Sequence, residues 1–250
     1  MELFEKIARK VNAALKNYAL IDDGDKILIG LSGGKDSLAL VEFLSERAKI
    51  YKPRFSVVAA HISVENVPYQ SDLPYLDNFC RQHGVPFVHR TTKFDASTDP
   101  RKSHCFLCSW NRRKALFAVA EELGCNKIAL GHHRDDMLET LLMNQIFQGA
   151  FASMPPKLRM DKFDMTIIRP LADVREADLQ ALAVQRGYQK QIKNCPYERE
   201  SHRSDVRRLL EAMERLNPNA ASSLWNSMQH VQPQYLPKKS QDVSSKPNEE

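Results

Sequence analysis

The chain has 250 residues, 42% of them apolar and 27% charged, with 36 Lys and Arg against 31 Asp and Glu for a net charge of +5. This balance excludes a disordered, collagen-like or disulfide-scaffold chain, and the length suits one full α/β domain or two small ones. The mild positive charge permits a nucleic-acid partner without demanding one, and five cysteines is an odd count.

No stretch approaches the about eighteen apolar residues of a membrane helix, so no membrane association is expected. Residues 1–10 mix acids with bases and lack an apolar run, which does not read as a secretory signal. A cytoplasmic protein is the expectation. There, cysteines are metal ligands, reactive groups or core residues before they are disulfides.

Leu3, Phe4, Ile7, Ala8, Val11, Ala14, Leu15 and Tyr18 recur at helical spacing and predict an amphipathic first helix. A turn at residues 22–25 ends it, and the apolar run 26–31 reads as a buried strand. A loop, 32–37, leads into a second helix. Strands follow at 55–62, 86–90 and 127–131, and helices at 71–83, 107–123 and 136–147, with 91–104 as a long loop and 132–135 as a short one. This alternation predicts a doubly wound parallel α/β sheet with its ligand site off the carboxyl ends of the strands. The loops 32–37, 61–66 and 132–135 all fall at such ends. Beyond residue 148 the pattern changes. Residues 159–160 and 165–168 suggest a hairpin or the last sheet edge, and 174–187, 204–216 and 220–230 read as a C-terminal helical extension. The domain is expected to span 1–232, with 233–250 as a disordered tail.

Ser32-Gly33-Gly34-Lys35-Asp36-Ser37 joins a buried strand to a helix. Two glycines allow a tight turn and close approach of an anion, the helix start offers N–H groups, Lys35 adds charge, and Ser32 and Ser37 add hydroxyls. The result is a cradle for phosphate oxygens. It is not a Walker A loop, which needs glycine at position 29 and a hydroxyl residue at 36, where Ile29 and Asp36 stand. An Asp beside the lysine repels bare phosphate, which points to Mg²⁺ as mediator. The hexapeptide closely resembles the PP-loop of the ATP pyrophosphatases, which cleave ATP between its α and β phosphates to adenylate a substrate.

Cys105 and Cys108 form a CxxC at a helix start. It can clip a metal, form a redox pair or be two core thiols. The other cysteine in a loop-like setting is Cys195, and three thiolates suit either an iron–sulfur cluster with an open corner or a zinc with a fourth, non-Cys ligand. Cys80 and Cys125 read as core. In Gly131-His132-His133-Arg134-Asp135-Asp136, Gly131 ends a strand and offers adenine or ribose room against the backbone. One of Asp135 and Asp136 is expected to cap the next helix and the other to bind Mg²⁺ or act as base. His132 and His133 are read equally well as site residues or as hydrogen-bonded loop residues.

Arg101, Lys102, Arg112 and Arg113 flank the CxxC, and Arg203 and Arg207 follow Cys195. Two basic runs meeting at one site favour an RNA backbone over a solvated helix face. Phe106 and Trp110 suit stacking on a base, but core positions are the plainer reading.

Together, Cys105 to Cys108, residues 131–136, Met154-Pro155-Pro156-Lys157-Leu158 and Ile168-Arg169-Pro170-Leu171 closely resemble the TtcA family of tRNA 2-thiocytidine synthetases, in order and from about residue 5 to 232. The resemblance implies an adenine nucleotide alpha hydrolase-like fold. It implies ATP at 32–37 with Mg²⁺, adenine near His61 and Gly131, and Lys35, Asp135 and Asp136 in catalysis. It implies a [4Fe–4S] cluster on Cys105, Cys108 and Cys195, and a cysteine desulfurase as sulfur donor. The C2 oxygen of an anticodon-loop cytidine would be adenylated and then replaced by sulfur. A homodimer is compatible with it. One position departs: the family's second downstream cysteine is Glu198 here. Two alternatives stay open, another PP-loop enzyme (an amide ligase or lysidine-type synthetase) with a structural zinc, and a non-enzymatic iron–sulfur sensor that binds nucleotide and RNA.

Overall fold

The computed structural model describes residues 2–65, 67, 71–94, 104–189 and 202–237. Cys195, Glu198, Arg101, Lys102 and most of the expected tail lie outside them.

Six strands form one sheet in the order β3-β2-β1-β4-β6-β5: β1 Asp25–Gly30, β2 Phe55–Val64, β3 Phe87–Thr92, β4 Lys127–Ala129, β5 Lys157–Arg159 and β6 Thr166–Ile168. All neighbours run parallel except β5, which turns back antiparallel on β6 as the edge hairpin. An Arg159–Asp164 ion pair ties that hairpin. The helices are α1 Glu2–Asn17, α2 Lys35–Ala48, α3 Leu73–Gln82, α4 His104–Glu122, α5 Arg134–Gln148, α6 Glu176–Arg186, α7 Arg203–Leu216 and α8 Ala220–Ser227. The doubly wound α/β architecture is as expected.

Strand period two divides the core. Ile27 and Ile29 of β1 face one layer with α1, α2, α3 and α6, and Leu28 between them faces Leu116, Phe117 and Ala120 of α4 on the other. A third cluster joins Met137, Leu138 and Leu142 of α5 to Val206 and Leu210 of α7 and Ala221 and Trp225 of α8. Helix α2 is buried from Ser37 to Ser45 without a break. A helix covered on all sides is a central, rigid element, so its first turn is a firm platform.

Several boundaries differ from expectation. Helices α2, α4 and α5 start at Lys35, His104 and Arg134, two to three residues earlier than their apolar rhythm indicates. First turns at a sheet edge are polar because their N–H groups face outward, so periodicity misses them. Strand β4 stops at Ala129, and β2 continues to Val64, which places His61 inside a strand. Pro233–Tyr235, at the start of the expected tail, makes one 3₁₀ turn.

Candidate functional site

Strand order reverses at β1, whose neighbours are β2 and β4. The loops leaving β1 and β4 therefore diverge around a crevice at their carboxyl ends, the standard place for a ligand in an open α/β sheet. They meet closely at one point. A Cβ on Gly131 would lie 3.1 Å from Asp36 C and 3.1 Å from Ser37 N. Gly131 is thus required by the first turn of α2, whose backbone packs directly on it.

Within the phosphate loop Gly33 takes φ +83°, a left-handed conformation that favours glycine. Gly34 caps α2 from an extended conformation, φ −78° and ψ 158°. The Gly34 N–H donates to Ser32 Oγ (3.3 Å), the two hydroxyls of Ser32 and Ser37 lie 3.2 Å apart, and Ser37 Oγ donates to Gly34 O at 2.9 Å. These contacts hold the loop open around the start of α2.

Lys35 Nζ lies 3.1 Å from Glu176 Oε1, at the start of α6, and donates at 3.3 Å to Asp36 Oδ2. The other Asp36 oxygen is 3.2 Å from the same nitrogen but outside hydrogen-bonding geometry. Burial pulls the Lys35 ammonium down, but Asp36 and Glu176 outweigh it and its pKa lies above the ordinary value. Burial raises Asp36 against the pull of Lys35. Glu176 is raised by burial but carried below its ordinary value by Lys35 and Arg207. Lys35 and Glu176 are therefore both charged at neutral pH.

The loop after β4 corrects the expected cap. His133 is the N-cap of α5: its Nδ1 accepts from Asp136 N–H at 3.4 Å, and Asp136 Oδ2 accepts from His133 N–H at 3.1 Å. The accepting Nδ1 leaves the proton on Nε2. Neither aspartate is the cap residue; Asp136 stands at N3 and closes a reciprocal capping box. Asp135 is buried, and both its oxygens serve the start of α6: Oδ1 takes Arg175 Nε at 2.8 Å and Oδ2 the Glu176 N–H at 2.7 Å. Arg175 also reaches Glu214 at 2.9 Å.

His132 is pushed down to about 4 by burial, with Arg169 beside it adding to the effect. Arg169 is itself lowered to about 10 by burial and donates to Pro155 O at 2.5 Å. His61 is buried in β2 with Nδ1 2.7 Å from Leu31 O, while its Nε2 has no hydrogen-bond partner among the described residues. Burial keeps it neutral, so it is an uncharged polar group beside the loop leaving β1.

Cys105 and Cys108 lie in the first two turns of α4, three residues apart and hence on one helix face. Both are half-buried, and Cys108 packs against a small cluster of Val64, Val67, Phe94 and Leu107 at the carboxyl ends of β2 and β3. The pair thus stands on the same sheet edge as the phosphate loop. Two thiols at this spacing fit two corners of a cluster or of a zinc site, and the third proposed ligand, Cys195, is outside the described residues. Cys80 and Cys125 are buried in the core, as expected, and burial lifts Cys80 to about 12.

Phe106 and Trp110 are 42% and 47% exposed, which overturns their core reading. They share α4 with Arg112 and Arg113, and Lys114 Nζ lies 5.6 Å from the Trp110 ring centre. Arg203 and Arg207 are exposed but stand against acids: Arg203 is 3.9 Å from Asp136, and Arg207 donates to Glu139 at 2.8 Å and lies 3.6 Å from Glu176. Sequence reasoning missed Arg175, Glu176 and Glu139 altogether. An Arg-Glu pair at a helix start carries no motif, and only the fold brings it to Lys35.

The PP-loop domain model matches residues 3–213. A tRNA-cytidine(32) 2-sulfurtransferase from Syntrophotalea carbinolica is 36% identical over 242 residues, covering 94% of this chain and 92% of the relative. One from Bordetella avium is 37% identical over 241 residues, covering 94% and 76%. The solved U34-tRNA thiolase NcsA from Methanococcus maripaludis with its [4Fe–4S] cluster superposes with a TM-score of 0.74 at 27% identity, covering 92% of this chain and 81% of that one. With a phosphate loop, a CxxC and a Gly-His-His-Arg-Asp-Asp loop gathered on one sheet edge and agreement across nearly its whole length, this chain belongs to the TtcA family of PP-loop proteins.

Proposed function

We propose that the chain is an ATP-dependent tRNA sulfurtransferase that adenylates the C2 oxygen of an anticodon-loop cytidine and replaces it with sulfur. The observation that supports this most is the sharing of one sheet edge by the phosphate loop and the cysteine pair. The relatives are named for sulfur transfer to cytidine 32 of tRNA.

In this reading the backbone of 32–37 and the start of α2 take the ATP phosphates, and Lys35 neutralises charge as pyrophosphate leaves. The cytidine C2 oxygen attacks the α-phosphate, the bond to the bridging oxygen breaks, and the base carries AMP, a far better leaving group than oxide. The Asp36 oxygen that lies outside hydrogen-bonding geometry is suited to Mg²⁺. His61 and Gly131 flank the adenosine side. Asp136, facing His133 and Arg203, is the acid available to reacting groups, while Asp135 acts through α6.

Cys105, Cys108 and Cys195 would hold a [4Fe–4S] cluster, which would supply a binding place for sulfur. A cysteine desulfurase is the proposed sulfur source. On α4, exposed Arg113 together with Phe106 and Trp110 suits a phosphodiester backbone with an unstacked base, and Arg101, Lys102, Arg112, Arg203 and Arg207 are proposed as further RNA contacts. The protein acts in the cytoplasm, with a homodimer compatible with this arrangement; among the described residues no helix is long and apolar enough to cross a membrane.

Nucleoside mass spectrometry tests the proposal. Anaerobically prepared protein with bound iron, given ATP, sulfide and tRNA, should produce 2-thiocytidine. Protein holding zinc without iron, or thiolation confined to uridine, would overturn the assignment.

A further inference from the structure

Lys35 Nζ and Glu176 Oε1 are separated by 3.1 Å although the residues lie 141 positions apart. The pair is partly covered, with side chains 22% and 31% exposed. Nucleotide phosphates in the loop would need the same ammonium. A carboxylate left against it would then sit close to several phosphate charges, and like charges at that range repel. Glu176 has a second cation at hand: its Oε2 is 3.6 Å from Arg207 Nη2, and Arg207 is anchored to the buried Glu139 at 2.8 Å. The Glu176 backbone is pinned by Asp135, so only its side chain is free to choose between Lys35 and Arg207.

We propose that Glu176 is a positioning residue that competes with the nucleotide phosphates for Lys35 and is drawn off the lysine by Arg207. This rests on the reading that ATP binds at residues 32–37. Lys35 is thereby aimed into the crevice by a carboxylate, and the nucleotide displaces that carboxylate onto α7. Arg207 would set how easily the displacement occurs, an unexpected role for a residue read from sequence as an RNA contact.

The test measures binding of α,β-methylene-ATP, which resists cleavage between the α and β phosphates, to the full chain by calorimetry. Glu176→Gln removes the competing charge and should tighten binding about threefold to tenfold. Arg207→Gln leaves Glu176 with Lys35 alone and should weaken binding about twofold to fivefold. In the Glu176→Gln background the Arg207→Gln effect should vanish, because the competitor it restrains is gone. Purely structural roles predict lower melting temperatures, with weaker or unchanged binding in both variants and additive effects; that result would overturn the proposal. Should Glu176→Gln fail to fold, Glu176→Asp, one methylene shorter, should tighten binding to a smaller degree, and unchanged binding would count equally against the idea. Lys35→Ala separates the two levels: if it leaves binding intact, the nucleotide phosphates do not engage Lys35, and the premise of the competition fails with it. If it weakens binding while Glu176→Gln fails to tighten it, only the competition is wrong.

Discussion

Lys127 and Lys35 stand at opposite ends of the parallel sheet, each against two carboxylates. Lys127 opens β4, and its ammonium meets Asp22 at 2.7 Å, Asp25 at 2.7 Å and the Leu20 carbonyl at 2.9 Å. Three acceptors match its three N–H donors, and the side chain is 5% exposed. Asn126 donates to Asp25 at 2.7 Å, so the whole knot is tied internally. Among the described residues Lys35 has only the two carboxylates Asp36 and Glu176, and it is 22% exposed. Of its partners, Glu176 has another cation nearby, Arg207. The same residue types make a clamp at the amino ends of the strands and an exchangeable pair at the carboxyl ends. Saturation and burial decide which.

Substitution of the two lysines breaks the comparison most sharply. Lys127→Met should cost about 3–5 kcal/mol in denaturant unfolding, because it leaves the buried Asp25 carboxylate without its ion partner. Lys35→Met should change stability by no more than about 1 kcal/mol yet reduce turnover roughly a hundredfold or more. Equal stability losses would erase the distinction. Asp135→Asn is next in size. It weakens the ties to Arg175 and the α6 start and should cost about 1–3 kcal/mol, with Arg175 and Glu214 left to rearrange.

Gly131→Ala and Gly34→Ala sharpen it further. The first brings a methyl to 3.1 Å from the α2 backbone, and the second to 3.5 Å from Ser32 Oγ, an ordinary contact. Thermal unfolding should show a loss of about 1–3 kcal/mol for Gly131→Ala and much less for Gly34→Ala.

The smallest effect concerns pH. His132 sits at about 4 in the fold, against 6.5 for an unperturbed histidine, because burial and Arg169 disfavour its charge. As pH falls the unfolded chain takes up this proton first. The stability linked to neutral His132 is complete above pH 6.5 and is lost progressively as pH falls towards 4. His132→Asn should flatten the decline in urea midpoint across that window, and an unchanged slope would remove His132 from the account.

Much of this was legible in the sequence. The continuous apolar run through Ile27, Leu28 and Ile29 could only be a strand covered on both faces, and Gly33–Gly34 before a helix marked the phosphate loop. Cys105 and Cys108 stood out as a CxxC, but the expected helix began at 107, and only its earlier start at His104 puts both on one face. Other features were hidden by chemistry that acts through space. The His133 cap escaped because aspartate is the better cap and two aspartates followed it. Phe106 and Trp110 look like core at helical spacing, yet the start of α4 overhangs the sheet edge and leaves them exposed. The Lys35–Glu176 pair needs two loops and a helix to be folded before it exists.

The phosphate loop and the cysteine pair occupy one sheet edge but different elements, and the central claim is that they perform separable steps. Cys105→Ala protein given ATP and tRNA tests it most directly, with pyrophosphate and 2-thiocytidine measured in the same sample. The account predicts that tRNA-dependent pyrophosphate release continues while 2-thiocytidine is absent. Loss of both together would contradict it.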